Sequence, residues 1–153
     1  MNKFLSYLIL IGFLVTHCGF KPVNKVENRN FDIIEIVTTG ESRINYKLKR
    51  KLLFNKTENS KKLFKIDLNS EKNKLVKEKN IKNEITKFEV TINAIINYTK
   101  NTSGKFEISK KGEFIVTNQY SQTLINEKGL VKNLSEDLAE DIINELINRQ
   151  DDL

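Results

Sequence analysis

The chain has 153 residues, which is room for one ordinary domain and not two. Apolar residues at 39% and charged residues at 30% allow a core under a heavily charged surface, and one Pro with six Gly excludes a collagen-like or Pro/Gly-disordered chain. One Cys and one His exclude an internal disulfide and any site built from several His or Cys ligands, while the net charge of +6 raises nucleic acid as a partner. Only four of the 26 basic residues are Arg, a skew that an AT-rich coding sequence explains as well as phosphate binding does.

The N-terminus decides between these readings. Lys3 precedes a twelve-residue apolar run over residues 4–15. That run is too short to span a bilayer core, which needs about 20 helical residues, and it has the length of a signal-peptide core. Val15-Thr16-His17-Cys18 then follows, the form of a bacterial lipobox, in which the Cys thiol is alkylated by diacylglycerol before cleavage. His17 departs from the Gly, Ala or Ser usual at that position. The sequence therefore predicts a signal peptide over residues 1–17 and lipid attachment at Cys18; the alternative is a secreted chain with a free thiol. Processing at Cys18 removes the sole His and consumes the sole Cys, leaving 136 of the 153 residues and a charge of +5 once Lys3 is lost. Several acyl chains, palmitate among them, make a stable membrane anchor. A protein so exported meets no nucleic acid.

Residues 18–30 are polar and hold the one Pro, the composition of a lipidated tether. Residues 31–37 (FDIIEIV) are apolar and β-branched, a strand. Thr38-Thr39-Gly40-Glu41 has the form of a capping box, with Thr38 as N-cap. Residues 42–55 place Ile44, Leu48 and Leu52 on one helical face and Arg43, Lys47, Lys49, Arg50 and Lys51 elsewhere around it. This basic amphipathic helix is either a membrane-surface or lipid-phosphate feature or a solvated face. Residues 63–68 (LFKIDL) predict a second strand, followed by a Lys- and Asn-rich connection over 69–83.

From Thr86 to Tyr98 the alternation is long and regular, and a turn is expected at Asn101-Thr102-Ser103-Gly104. Residues 105–120 resume the alternation, interrupted by a bulge or break at Lys110-Lys111-Gly112. Residues 123–148 predict a helix with Leu134, Leu138, Ile142 and Leu146 at spacing four. Residues 131–153 hold seven acidic and two basic side chains, against 13 acidic and 24 basic in the remainder. The order β-α-β-β-β-α predicts an α+β fold over residues 31–150: a two-layer sandwich, its four-stranded, mostly antiparallel sheet covered on one face by two helices.

Catalytic constellations are missing from the sequence. It has no Gly-rich phosphate loop, no G-x-S-x-G elbow and no metal-ligand spacing. The carboxylate pairs Glu136/Asp137 and Glu140/Asp141 sit on the last helix, where they form a wet face. A non-enzymatic chain without catalytic residues, metal or cofactor is expected.

Cys18-Gly19-Phe20-Lys21-Pro22 resembles the C-G-F-x-P start of mature lipopolysaccharide-assembly lipoproteins, the LptE family, in its alphaproteobacterial form. Gly40-Glu41-Ser42-Arg43 is similar to the Arg-bearing start of that family's first helix. Ile85-Thr86-Lys87-Phe88, Thr102-Ser103-Gly104-Lys105, Tyr120, and Asn133-Leu134 with 138–142 (LAEDI) resemble its third strand, hairpin turn, fourth-strand end and final helix. The resemblance implies a lipid-anchored plug on the periplasmic side of the outer membrane, seated in the lipopolysaccharide-translocating β-barrel of LptD type. It implies lipopolysaccharide as the second partner. Candidate lipopolysaccharide-phosphate contacts are Lys77 and Lys79 in the connection and Lys110 and Lys111 at the hairpin interruption. The alternative is an anchored periplasmic lipoprotein that binds a lipid or serves another envelope transporter.

Overall fold

The computed structural model describes residues 31–54, 60, 62–100 and 103–149; the expected signal peptide, Cys18 and the expected tether lie outside them. Within them the chain runs β1 (Phe31–Gly40), α1 (Ser42–Leu53), β2 (Lys62–Lys79), β3 (Ile85–Thr99), β4 (Ser103–Ile115) and α2 (Tyr120–Asn148). The strands form one sheet in the order β1-β2-β3-β4. β1 and β2 pair in parallel, a geometry that needs a crossover, which α1 supplies; the other two pairings are antiparallel. The expected α+β sandwich is the fold observed.

One sheet face is apolar because the strand alternation puts it there. Phe64, Ile66 and Leu68 on β2 stand beside Val90, Ile92, Ala94 and Ile96 on β3, all fully buried under Ile44, Leu48 and Leu52 of α1 and Leu138, Ile142 and Leu146 of α2. Each such Leu or Ile contributes about 1.5–3 kcal/mol of burial. β1 joins this face through a bulge between Ile33 and Glu35. The extra residue, Ile34, turns outward, and Phe31, Ile33 and Ile36 all reach the core although their spacing breaks strict alternation. Phe31, Phe64, Tyr98 and Phe106 form an aromatic row across all four strands, with neighbouring centroids 5.1, 5.8 and 5.9 Å apart. The Arg149 guanidinium closes its end, 5.1 Å from the Phe106 ring.

The charge asymmetry of the sequence is partly spent in joining the layers. Ile92 is flanked on the buried face by Lys72 and Lys110. Lys72 and Lys74 pair with Glu127, Lys110 with Asp141 at 2.6 Å, and Lys51 of α1 with Glu140. The acidic last helix thus lies over basic positions of the sheet and of its neighbouring helix.

Several local expectations need correction. β2 is 18 residues long, so 69–79 is strand and not connection. Its far half pairs with β3 through a tight turn in which Asn83 takes φ 63° and the Asn80 carboxamide oxygen accepts from the Lys82 and Glu84 amides. Thr38 is not an N-cap: β1 continues through Gly40, and Glu41 holds the cap position without a side-chain bond. Gly104 lies inside β4, where its missing Cβ lets the Tyr98 ring cross over it. The hairpin of β3 and β4 keeps register through Lys110, Lys111 and Gly112, and Gly112 makes room for Leu130, whose Cδ1 would stand 2.7 Å from an added Cβ. β4 ends at Ile115, and Tyr120 starts α2 rather than ending the strand.

Candidate functional site

α1 is held in place by its own first turn. Gly40, at φ +89°, lets the backbone leave β1 beside Ser70, whose carbonyl accepts from the Glu41 amide at 2.9 Å. The buried Asn45 donates to the Thr39 carbonyl at 2.7 Å and accepts from the buried Ser70 hydroxyl at 2.7 Å. These bonds tie helix, crossover and central strand at one point.

So anchored, α1 lies beside α2 with the same direction: Arg43 stands near Lys128, and Lys51 reaches Glu140. Between and above the helices runs an open groove in two sections that share Tyr46 and Lys47. The first, of about 510 Å³, is lined by Ile44, Leu124 and Val131 and rimmed by Arg43, Lys72 and Lys128. The second, of about 570 Å³, lies among Arg50, Phe54, Lys132 and Glu136. Both linings are more apolar than polar. Tyr46 on α1 and Phe54 just past its C-terminal end stand 68% and 79% exposed.

The groove's electrostatics are cationic. α1 carries five basic and no acidic residues. Lys49 donates to the Ile36 carbonyl and Lys51 pairs with Glu140. Arg43, Lys47, Arg50 and Lys128 form no ion pair among the described residues. Burial, and then the neighbouring Lys132 and Arg50 charges, hold the Lys47 ammonium below the usual lysine value against the pull of Glu136. At the groove floor burial alone would push Glu127 up, but the hydrogen bonds and charges of Lys74 and Lys72 prevail and hold it below the ordinary glutamate range. The Lys74 ammonium also lies 4.3 and 5.0 Å from the stacked Phe88 and Phe114 rings.

The four lysines singled out in the sequence do not converge. Lys77 donates to Glu89 and also faces Glu113; hydrogen bonding to Glu89 first, and then both charges, raises its pKa. Lys79 donates to Asn83 in the hairpin turn. Lys110 points to the helix layer and is held by Asp141, whereas Lys111, exposed on β4, stands across from Thr91. The basic face of α1 was visible in the sequence. The second wall, from Lys128 and Lys132, was not, because α2 appears acidic overall. Among the described residues no group of three or more His, Cys, Asp or Glu could hold a metal ion. No helix among them is long and apolar enough to cross a membrane.

Among the described residues no helix lies on the opposite sheet face. It presents Lys65 paired with Glu35 at 3.0 Å, Ser109 bonded to Asn93 at 2.7 Å, and Lys77 and Lys87 among Glu78, Glu89 and Glu113. Leu75 and, at the hairpin tip, Ile81 stand exposed.

Solved bacterial lipoproteins share this α+β fold. The chain is similar to rare lipoprotein B from Shewanella oneidensis, with TM-score 0.59 and 8% identity over 77% of this chain and 97% of that one. It is similar to lipoprotein B from Nitrosomonas europaea, with TM-score 0.55 and 15% identity over 87% and 93%. A minor lipoprotein from Acinetobacter baumannii gives TM-score 0.54 and 12% identity over 76% and 92%. At these identities the likeness is one of fold. No family model matches the sequence, and comparison with curated proteins finds no significant match.

Proposed function

We propose that this chain is a lipoprotein of the bacterial envelope, anchored through Cys18 on the periplasmic side of the outer membrane. There it serves lipopolysaccharide assembly as the plug and assembly partner of the lipopolysaccharide-translocating β-barrel. The observation that carries the reading is the fold, which aligns over nearly the full length of solved lipoproteins. The lipobox form at Cys18 and the likeness of Cys18-Gly19-Phe20-Lys21-Pro22 to the LptE start support the anchor and the family reading.

The open sheet face is suited to such a seat. A large barrel's lumen is polar, and a guest there gains from polar and charged side chains on a rigid surface. Asn93, Ser109 and the Lys77–Glu89 and Lys87–Glu78 pairs provide them. The chain acts by binding and by shaping its partner, not by turning over a substrate. Depleting the protein tests this: the translocating barrel is expected to fail to reach its folded outer-membrane form, and normal barrel assembly in depleted cells would reject the role. Mass spectrometry of the mature N-terminus tests the anchor, with a diacylglyceryl-modified Cys18 expected and an unmodified Cys18 contradicting it.

A further inference from the structure

We infer that the outer edge of β4 pairs with the same edge of a second copy of this chain, antiparallel about a two-fold axis at Ser109. The outer strands of the sheet are β1 and β4, and they differ as edges. β1 is bulged between Ile33 and Glu35, and the Asp32 carboxylate already accepts from the Ile33 amide at 2.8 Å. Its charged residues, Asp32 and Glu35, are both acidic. Such features blunt an edge against pairing. β4 has none of them: it keeps register with β3 over all 13 of its residues without a bulge and contains no Pro. The Val116 amide bonds the Thr86 carbonyl, which makes Lys87 and Ile115 a non-hydrogen-bonded pair. By alternation Lys105, Glu107, Ser109, Lys111 and Glu113 aim their N–H and C=O groups away from β3, and among the described residues no strand receives them.

The side chains of the same residues stand exposed on the open sheet face. Their order, Lys-Glu-Ser-Lys-Glu, is its own charge complement when the strand is reversed. A two-fold axis at Ser109 sets Lys105 opposite Glu113 and Glu107 opposite Lys111, and overlaps the strand along its whole length from Ser103 to Ile115. A register centred on Ile108 would set Lys105 against Lys111, and one centred on Lys110 would set Glu107 against Glu113; both are unfavourable. Lys105, Glu107 and Lys111 form no ion pair among the described residues. Glu113 stands 3.6 Å from Lys77 and from Lys87, and each of these has a closer carboxylate in Glu89 or Glu78. On the helix face Gly104 falls opposite Phe114 and Gly112 opposite Phe106, so no ring meets a ring. The pairing joins the two four-stranded sheets into one, with the helices of both copies on the same side.

The pairing needs no barrel, so it and the envelope reading can fail separately. The full chain in a neutral polyoxyethylene detergent is followed by sedimentation equilibrium and by amide hydrogen exchange read by NMR. A monomer–dimer equilibrium is expected. The amides of Lys105, Glu107, Ser109, Lys111 and Glu113 should be protected in the dimer and exchange freely on dilution, while those of the β1 edge do not respond. Two charge-reversed chains test the register, Lys105→Glu/Lys111→Glu and Glu107→Lys/Glu113→Lys. Each alone sets like charges opposite one another and should self-associate more weakly, on the order of tenfold or more. Mixed in equal amounts, the two restore every opposite-charge pair and should bind each other within about threefold of the unaltered affinity. A chain that stays monomeric at every concentration, or protection on β1 rather than β4, would overturn the proposal. So would β4 protection that dilution does not change, or reversed chains that pair no better mixed than alone. Concentration-dependent protection confined to β4 in the unaltered chain decides the matter if a reversed chain fails to fold.

Discussion

Replacing Asn45 with Ala probes the joint on which the helix layer is set. The carboxamide makes two bonds of 2.7 Å, one to the Thr39 carbonyl and one from the Ser70 hydroxyl. Thr39 is exposed, so water recovers part of the bond its carbonyl loses, and that loss lies near about 1 kcal/mol. Asn45 and Ser70 are 4% and 2% exposed, so the Ser70 hydroxyl finds no water in place of the carboxamide. Ser70 keeps a longer contact to the Glu41 carbonyl at 3.4 Å, and its loss is nearer about 1 kcal/mol. Ala is the better helix former by roughly 0.6 kcal/mol, which offsets part of this. The net destabilisation is about 1–2 kcal/mol, a sizeable share of a typical stability of about 5–15 kcal/mol. Urea unfolding measures it: the midpoint should fall by roughly 1 M with an unchanged slope. Ser70→Ala alone and combined with Asn45→Ala should show a coupling of at least about 0.5 kcal/mol. A loss under about 0.5 kcal/mol, or strict additivity, would refute the joint.

Three further outcomes are expected. Gly40→Ala should destabilise by at least about 2 kcal/mol in the same assay, because φ is +89° and an added Cβ would meet the Ser70 carbonyl oxygen. Gly129→Ala should stabilise by about 0.5–1 kcal/mol, since the site is interior to α2 and nothing lies within 4 Å of an added Cβ; a destabilisation would mean that the first half of α2 is not a regular helix. Glu127 has a depressed pKa, so its contribution is present above the unfolded-state value and is lost as pH falls through the folded-state value. Glu127→Gln should therefore be less stable than the unaltered chain at pH 7, with the gap closing below about pH 4; a gap constant with pH would contradict the Lys72–Glu127–Lys74 contact.

The parts of the fold legible in the sequence are those where one periodicity rules. Thr86 to Tyr98 alternates with Ile95 as its one apolar exception and lies within β3; Leu134, Leu138, Ile142 and Leu146 recur every four residues and line α2. β2 was half legible because its alternation is apolar only to Leu68. Beyond it the buried-face positions are Ser70, Lys72 and Lys74, satisfied by Asn45 and Glu127, and a polar pattern of that kind reads as a loop. The β2–β3 turn has neither Gly nor Pro and depends on Asn80 and Asn83, common residues in this chain. Gly104 and Gly112 were informative about packing, not turning, since each accommodates a bulky neighbour, Tyr98 or Leu130. The groove escaped because it needs two helices distant in sequence: Arg43 and Lys47 are plain in one, while Lys128 and Lys132 are submerged in the acidity of the other.

The proposed role places this chain inside a larger envelope partner. Affinity purification of the full chain from detergent-solubilised membranes, with its co-purifying proteins identified by mass spectrometry, tests that most directly. The account expects one large outer-membrane β-barrel in a stoichiometric complex. Recovery of the chain alone, or only with soluble periplasmic proteins, would contradict it.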